Sequence, residues 1–151
     1  MEGLAAGADA VLVGGCKLGE CKYLTGNFQA LFMSEAVKAG LKLLGLSPQR
    51  LRVEWLSAAE PNKLVETLRA YYEELSRLGP LGQEKNWSEQ DKTRYLQAGV
   101  ELWKQQSVRI AYGRLLKELH AQKRFLFQEM QALIQNKLVP KLKANLEKLL
   151  A

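Results

Sequence analysis

The chain is poor in the residue types from which most catalytic sites are built. Its 151 residues include one histidine, His120, and two cysteines, Cys16 and Cys21. No Ser-His-Asp or Cys-His arrangement for nucleophilic catalysis can be assembled from this inventory. The glycine pair before Cys16 forms no phosphate-binding Walker loop, because the spacing and the trailing Ser or Thr of that motif are missing. The sequence therefore gives no support for bond-making chemistry on this chain.

Long apolar runs are also missing. None approaches the ~18 residues needed to span a bilayer, so no membrane span is predicted. The first residues show no basic patch followed by an apolar segment, which is the pattern of a signal peptide. Two close cysteines without such a signal favour a reducing, cytoplasmic location. There, paired cysteines are more often metal ligands or redox groups than structural disulfides.

The positive charge is unevenly distributed. Residues 1–80 carry nine Lys/Arg and nine Asp/Glu, whereas residues 81–151 carry thirteen and seven and supply the whole net charge of +6. The basic residues alternate with Glu and Leu instead of forming a cluster. This pattern favours a solvated face or a contact with another protein, and no nucleic-acid partner is predicted.

The first half of the chain has the pattern of a parallel α/β unit. Residues 10–13 form a continuous apolar run, typical of a strand covered on both faces, and Gly14-Gly15 is expected to end it. A helix is predicted from about Phe28 to Leu44, followed by an alternating strand at residues 51–56. After the loop at residues 57–60, Pro61 suits the first turn of a helix that runs to about Leu78.

This succession of strand, helix, strand and helix predicts a partial parallel βαβα unit, whose functional sites lie at the carboxyl ends of the strands. Two strands make a poor sheet. We therefore expect the unit to belong to a larger α/β domain or to complete itself against a partner.

Gly79-Pro80-Leu81-Gly82 marks a boundary, beyond which the sequence is helical. We predict two domains: an α/β unit at residues 1–80 and a basic amphipathic helical extension at 81–151. One helix is expected from Ser88 to about Gln106, and an apolar stripe continues over residues 108–137. Pro140 is expected to kink or restart the last helix. The fold class is thus α/β with a long helical C-terminal extension that packs on the unit, on itself or on a partner.

Cys16 and Cys21 lie on a glycine-rich loop directly after the first strand. Their thiolates suit the iron of an iron–sulfur cluster, or zinc. As a dithiol they could cycle with a disulfide if their Cα atoms lie within about 7 Å, or they could be inert. Lys17 and Lys22 follow the two cysteines, and their charge is expected to favour the thiolate form. The spacing leaves these alternatives open, while His120 is expected to be a packing residue.

Two segments resemble a known family. Residues 7–27 and 44–60 are similar to the iron–sulfur (delta) subunits of methyl-viologen-reducing hydrogenases, and the resemblance ends near Pro80. These subunits link a hydrogenase or formate dehydrogenase to heterodisulfide-reductase-type flavoproteins. The resemblance implies a [2Fe–2S] cluster, with Cys16 and Cys21 as metal ligands. It also implies that glycines beside them let the backbone approach the cluster, namely Gly14, Gly15 and Gly19.

The family's N-terminal half, which bears further cysteines in a Cys-x-x-Cys-type motif, is absent from this sequence. A [2Fe–2S] cluster normally has four protein ligands, so two more are expected from outside. A separate chain could carry the missing half, two copies or a partner could supply the ligands, or the cluster could be lost and the fold kept for docking. Lys17 and Lys22 stand where relatives often have histidine, a difference expected to tune the cluster.

The resemblance thus implies a non-catalytic electron-transfer subunit. Its expected partners are of two kinds: a heterodisulfide-reductase-like flavin/iron–sulfur subunit, and a hydrogenase or dehydrogenase subunit. The alternatives are a structural docking subunit of the same kind of complex without its own cluster, or a zinc or dithiol site.

Overall fold

The computed structural model describes residues 1–57, 59–122 and 125–151. The α/β part contains α1 (Glu2–Ala5), β1 (Val11–Gly15), α2 (Gly26–Leu44), β2 (Leu51–Trp55) and α3 (Pro61–Leu78). The helices that follow are α4 (Glu89–Lys104), α5 (Gln106–Gln122), α6 (Phe127–Leu133) and α7 (Val139–Leu150). A π turn, Ile134–Leu138, joins α6 to α7.

β1 and β2 form the predicted parallel pair, with Val11 opposite Leu51 and Gly15 opposite Trp55. The expectation that Gly14-Gly15 ends the first strand was wrong, because both glycines continue the ladder. A side chain at position 15 would force the ring of Trp55 to move, because a Cβ atom would lie 2.7 Å from it. Gly15 is therefore a strand residue that makes room for an aromatic ring on the neighbouring strand.

The two faces of β1 are covered incompletely. Val11 and Val13 pack against the main core, while Leu12 lies on the opposite face beside α3. We expected a strand covered on both faces, but Val11, Leu12 and Val13 are only half-buried and Gly14 is exposed. The reason is that, in the described part of the chain, β2 is the one strand that pairs with β1.

The C-terminal helices pack on α2 and on one another. Phe32 and Leu41 of α2 are fully buried in the same apolar cluster as buried side chains of the later helices, among them Leu102, Val108, Leu119, Leu138 and Leu142. The fold class is confirmed as α/β with a long helical C-terminal region. The division at residue 80 stays a prediction, although both parts contribute to one core.

Local signals place most helix ends correctly. The Ser88 hydroxyl accepts a hydrogen bond from the N–H of Asp91 (3.1 Å) and caps α4, and Pro61 lies in the first turn of α3. The apolar stripe over residues 108–137 belongs to more than one helix, because α5 ends at Gln122 and α6 begins at Phe127. The helix passes Pro140 by means of the π turn, whose wider spacing accommodates a residue that cannot donate a backbone hydrogen bond.

Arg50 holds the boundary segment, residues 79–82, against the α/β unit. Its side chain is fully buried, and its Nε donates to Glu84 at 2.5 Å. The remaining guanidinium nitrogens donate to the carbonyl oxygens of Asp9 (2.9 Å), Gly79 (3.1 Å) and Pro80 (3.0 Å). One side chain thus satisfies three carbonyls and a carboxylate where the helical region joins the sheet.

The pair of Arg50 and Glu84 makes stability depend on pH. Burial alone would raise the pKa of Glu84, but hydrogen bonds from Arg50 and from the backbone outweigh it and lower the pKa below its ordinary 4.5. A carboxyl whose pKa is lowered by folding contributes stability above its unfolded pKa, and loses it as pH falls through the folded value. The free energy of unfolding should therefore decline between pH ~5 and more acid conditions.

Chemical denaturation across this acid range checks the expectation. Glu84→Gln should show a smaller acid decline than the unmodified chain. Glu89→Gln makes the same change of charge at an exposed position, where the partner Lys92 forms only a surface ion pair, and should keep the full decline. Equal acid declines in Glu84→Gln and the unmodified chain would contradict the assignment to Glu84.

Candidate metal centre at the carboxyl edge of the sheet

Both predicted thiols lie on one loop at the carboxyl end of β1. Cys16 directly follows the strand and is exposed, whereas Cys21 is half-buried, and both are free thiols. The loop that follows β2 begins at the same edge of the sheet, because the strands are parallel. The structure therefore places the cysteine pair where parallel α/β units form their sites.

Two successive turns shape the cysteine loop. The N–H of Glu20 donates to the carbonyl oxygen of Lys17 (2.9 Å), and Gly19, with φ 86°, takes the left-handed third position of this turn. The N–H of Leu24 then donates to the carbonyl oxygen of Cys21 (2.9 Å), and Leu24 itself has φ 60°. A left-handed leucine is uncommon and persists only when its surroundings hold it there. The segment between and after the thiols is thus a defined loop that depends on Gly19.

Asn27 anchors this loop from beneath. Its side chain is buried, and its amide nitrogen donates to the carbonyl oxygens of Lys17 (2.7 Å) and Cys16 (3.4 Å). Its amide oxygen accepts from the N–H of Phe28 (3.0 Å). Sequence reasoning missed this residue, because asparagine near a helix start is a common cap and gives no separate signal for holding a loop.

An ion pair joins the two loops. The ammonium of Lys17 lies 2.9 Å from Glu60, whose other oxygen accepts from the N–H of Ser57 at 2.9 Å. The mutual hydrogen bond raises the pKa of Lys17 and lowers that of Glu60. Both groups are solvent-accessible, so water screens the attraction. Lys17 was expected to favour the thiolate of Cys16, and the structure directs its charge towards Glu60.

The predicted glycines have different surroundings. A Cβ atom on Gly14 or Gly19 would meet nothing within 4 Å, so both leave space open around the loop. Gly15 instead accommodates Trp55, as described above. Below the loop, an apolar hollow of about 390 Å³ lies between the ends of the strands and α3. It is lined by Gly14, Gly15, Leu56, Ser57, Glu60, Pro61 and Leu64.

The N-terminus of α2 lies against the second thiol. A Cβ atom on Gly26 would lie 3.2 Å from Cys21 Sγ, which places that sulfur at the first turn of the helix. Free backbone N–H groups at a helix N-terminus favour negative charge, including that of a thiolate or an anionic metal group.

The donor set matches half of a metal site. Thiolates suit iron or zinc, but two of them leave half of a four-ligand set unfilled. Among the residues that the structure describes, no group of three or more His, Cys, Asp or Glu side chains could hold a metal. His120 contacts the side chains of Gln29 (3.1 Å) and Phe125. It packs against other side chains, as expected.

The closeness of Gly26 to Cys21 predicts a local effect. Gly26→Ala should push the sulfur outward, because its new Cβ atom would lie 3.2 Å away. Labelling by a thiol reagent, resolved by mass spectrometry, should become severalfold faster at Cys21 and stay unchanged at Cys16. Gly113→Ala is the matched control, since a Cβ atom there meets nothing within 4 Å. Identical Cys21 labelling rates in the two variants would contradict the contact.

Comparison with known proteins assigns the chain to a family. Residues 1–79 match the family described as "Methyl-viologen-reducing hydrogenase, delta subunit". This match covers more than half of the chain, so the chain belongs to that family. The match spans β1, the cysteine loop, β2 and α3, and thus includes the whole candidate site.

Relatives of two kinds share this sequence. The chain is 41% identical over 101 residues to a ferredoxin:CoB-CoM heterodisulfide reductase subunit of Methanosarcina mazei, covering 67% of this chain and 12% of that protein. It is 41% identical over 80 residues to an F420-non-reducing hydrogenase iron-sulfur subunit of Archaeoglobus profundus, covering 53% of this chain and 58% of the relative. The corresponding iron-sulfur subunit of Methanopyrus kandleri is 40% identical over 78 residues, covering 52% of this chain and 59% of the relative.

The chain spans less than two thirds of these relatives, and only about an eighth of the reductase subunit. The reductase match is longer than 80 residues, so the similarity runs past Pro80 into the later helices, further than the resemblance seen in the sequence. Within the described residues, no helix is long and apolar enough to cross a membrane.

Proposed function

We propose that this chain is an electron-transfer subunit of an oxidoreductase complex, and that Cys16 and Cys21 are two of the four ligands of a [2Fe–2S] cluster. The observation that supports this most directly is the position of both thiols on one anchored loop, inside the segment shared with relatives named iron-sulfur subunits. When bound, such a cluster accepts and releases one electron at a time.

The chain's own residues would hold and orient the two thiolates. Asn27 holds the carbonyl oxygens of Cys16 and Lys17, and the Lys17–Glu60 pair ties the loop to the carboxyl end of β2. Gly19 turns the backbone between the thiols, and the start of α2 presents its amides near Cys21. No residue in this arrangement acts as a general acid, a general base or a nucleophile, so the chain itself is proposed to be non-catalytic.

The missing ligands are proposed to come from another chain. The exposure of Cys16 leaves one side of the site open to a partner. We propose electron partners of two kinds, and a separate chain that carries the cysteine-rich half is one candidate source of the other ligands. One electron partner is a hydrogenase or dehydrogenase subunit, and the other is a heterodisulfide-reductase-like flavin/iron–sulfur subunit. The names of the relatives support these two kinds of partner. We propose that the complex lies in the cytoplasm.

Metal analysis of the complex tests the proposal. The complex containing this chain is purified without oxygen, and its iron, zinc and acid-labile sulfide are measured together with low-temperature electron paramagnetic resonance. We expect equal amounts of iron and sulfide assignable to this chain and a signal on reduction. Zinc without sulfide would overturn the cluster in favour of a zinc site. Absence of both metals would leave a dithiol or a docking subunit.

A further inference from the structure

The outer edge of β1 has unpaired backbone groups. The N–H of Leu56, which follows β2, donates to the carbonyl oxygen of Gly15 at 2.8 Å. In a parallel pair the backbone groups of successive residues point alternately towards the neighbouring strand and away from it. Because the carbonyl of Gly15 points towards β2, the N–H and C=O groups of Val11 and Val13 also face β2. Those of Leu12 and Gly14 face away. No strand in the described ranges pairs with this outer edge.

Apolar hollows flank that edge on both faces of the sheet. On the α2 side, a hollow of about 740 Å³ is lined by Val11, Met33, Val37, Trp103 and Tyr112, among others. On the α3 side, a hollow of about 550 Å³ is lined by Ala10, Leu12, Leu68, Tyr72 and Leu75, among others. Several of these side chains are unusually exposed for apolar residues: Met33 is 38% exposed, Leu68 48% and Tyr72 74%.

The sequence of β1 suits an interior strand. Edge strands of soluble proteins are usually protected from further pairing by a charge, a proline or a bulge. Residues 10–15 contain no charged residue and no proline, and β1 pairs with β2 without a bulge. Parallel sheets are normally covered on both faces, and two strands alone are marginal. The composition and the surroundings of β1 both indicate that another strand lies beside it in the working protein.

The charges around the edge indicate the kind of segment that fits. Arg109 lines the hollow on the α2 side and Arg69 the one on the α3 side, and neither forms an ion pair within the described part of the chain. Glu2 and Lys104 also line the first hollow and oppose each other in charge. Two copies meeting at this edge would bring like charges together, whereas an acidic segment would complement them.

We propose that this edge slot, formed by the outer edge of Leu12 and Gly14 between the two hollows, binds an extended apolar segment with acidic flanks from a partner subunit. The segment adds a third strand to the sheet by backbone pairing and places apolar side chains in both hollows. The inference rests on the proposed function only in taking the chain to work within a complex. Strand addition itself requires no cluster.

Backbone pairing is tested at Gly14. The probe is a labelled synthetic peptide with an alternating Val-Ile core and glutamates at both ends, and its binding to the full chain is measured by fluorescence anisotropy. Gly14→Pro removes an outward N–H without touching the pairing with β2. It should weaken binding by about tenfold through the lost hydrogen bond and the ring in the slot. Gly14→Ala keeps the N–H and has room for its Cβ atom, so it should bind like the unmodified chain.

A second pair of variants tests the apolar faces at exposed positions. Leu68→Asp lies in the slot and Leu126→Asp outside it, and both positions are exposed, at 48% and 60%. Only Leu68→Asp should weaken binding. Equal binding of the peptide by Gly14→Pro and Gly14→Ala would overturn the strand addition. So would unchanged binding of a peptide whose backbone amides are N-methylated, since that peptide cannot donate backbone hydrogen bonds. A dimer of the chain that Gly14→Pro disperses would overturn the choice of a partner subunit in favour of a second copy.

The double variant Cys16→Ser/Cys21→Ser separates this inference from the proposed function. It should bind the peptide as tightly as the unmodified chain, because neither thiol contributes to the slot. Loss of peptide binding in that variant would overturn the slot as an independent surface. If the complex contains the cluster but the chain does not bind the peptide, the slot alone is refuted. A chain that binds the peptide within a complex lacking iron would refute the cluster alone.

Discussion

Replacing Cys16 or Cys21 by serine is expected to abolish the paramagnetic signal assigned to this chain and to release its iron. Serine offers a harder oxygen in place of a soft thiolate, and the iron of a cluster strongly prefers sulfur. In the proposed cluster two of the four ligands lie on this chain, so the loss of either one removes a quarter of the set. Electron transfer through the complex should then fall to background, while clusters in other subunits keep their signals.

The folded loop makes this prediction specific. Asn27 holds the backbone carbonyls of Cys16 and Lys17 through its side-chain amide, so the loop does not depend on metal binding for its anchor. Both serine variants should therefore keep the melting temperature of the metal-free chain. Leu126→Ser is the matched control, because it changes a side chain that is 60% exposed and lies outside the cysteine loop. A serine variant whose complex keeps the full signal and full iron would refute the proposal that these thiols are ligands.

The βαβα order and the edge that holds the site could be predicted from the sequence, because they depend on local patterns. The apolar run at residues 10–13, the alternation of β2 and the glycine after each helix are each visible within a few residues. The course of Gly14-Gly15 could not be predicted in this way. Glycine usually interrupts a strand, but here both glycines continue the ladder, and Gly15 lies against the ring of Trp55, forty positions away along the chain.

Polar anchors were the least predictable part of the site. Asn27 looks like an ordinary helix-start residue, and Arg50 follows Ser47-Pro48, where an exposed turn would be expected. Both become buried only because distant carbonyl groups converge on them in the fold. The break between α5 and α6 was hidden for a similar reason, since Leu119, Leu126 and Met130 continue the same apolar spacing across it.

Arg50→Met is expected to destabilise the chain by about 3–5 kcal/mol, a large part of the 5–15 kcal/mol typical of a domain. The methionine would fill much of the volume, but it would leave the carbonyls of Asp9, Gly79 and Pro80 without their side-chain donor. The Glu84 carboxylate would lose its cationic partner and keep only the N–H of Ser47. A buried charge that loses its partner is far more unfavourable than the net gain from the pair. Urea denaturation should show the midpoint lowered by at least ~1 M.

Arg52→Met provides the comparison that separates burial from charge. Arg52 is two residues away, but its side chain is 32% exposed, and it pairs with Glu54 and Glu74 at the surface. Removing it loses exposed ion pairs and a contact with the ring of Tyr71, together worth about 1 kcal/mol or less. If both methionine variants lost equal stability, the buried ion pair and hydrogen bonds of Arg50 would stabilise the fold no more than the exposed ion pairs of Arg52 do. A loss confined to Arg50→Met would show that this guanidinium holds the boundary segment, and with it the C-terminal helices, against the sheet that bears the cysteine loop.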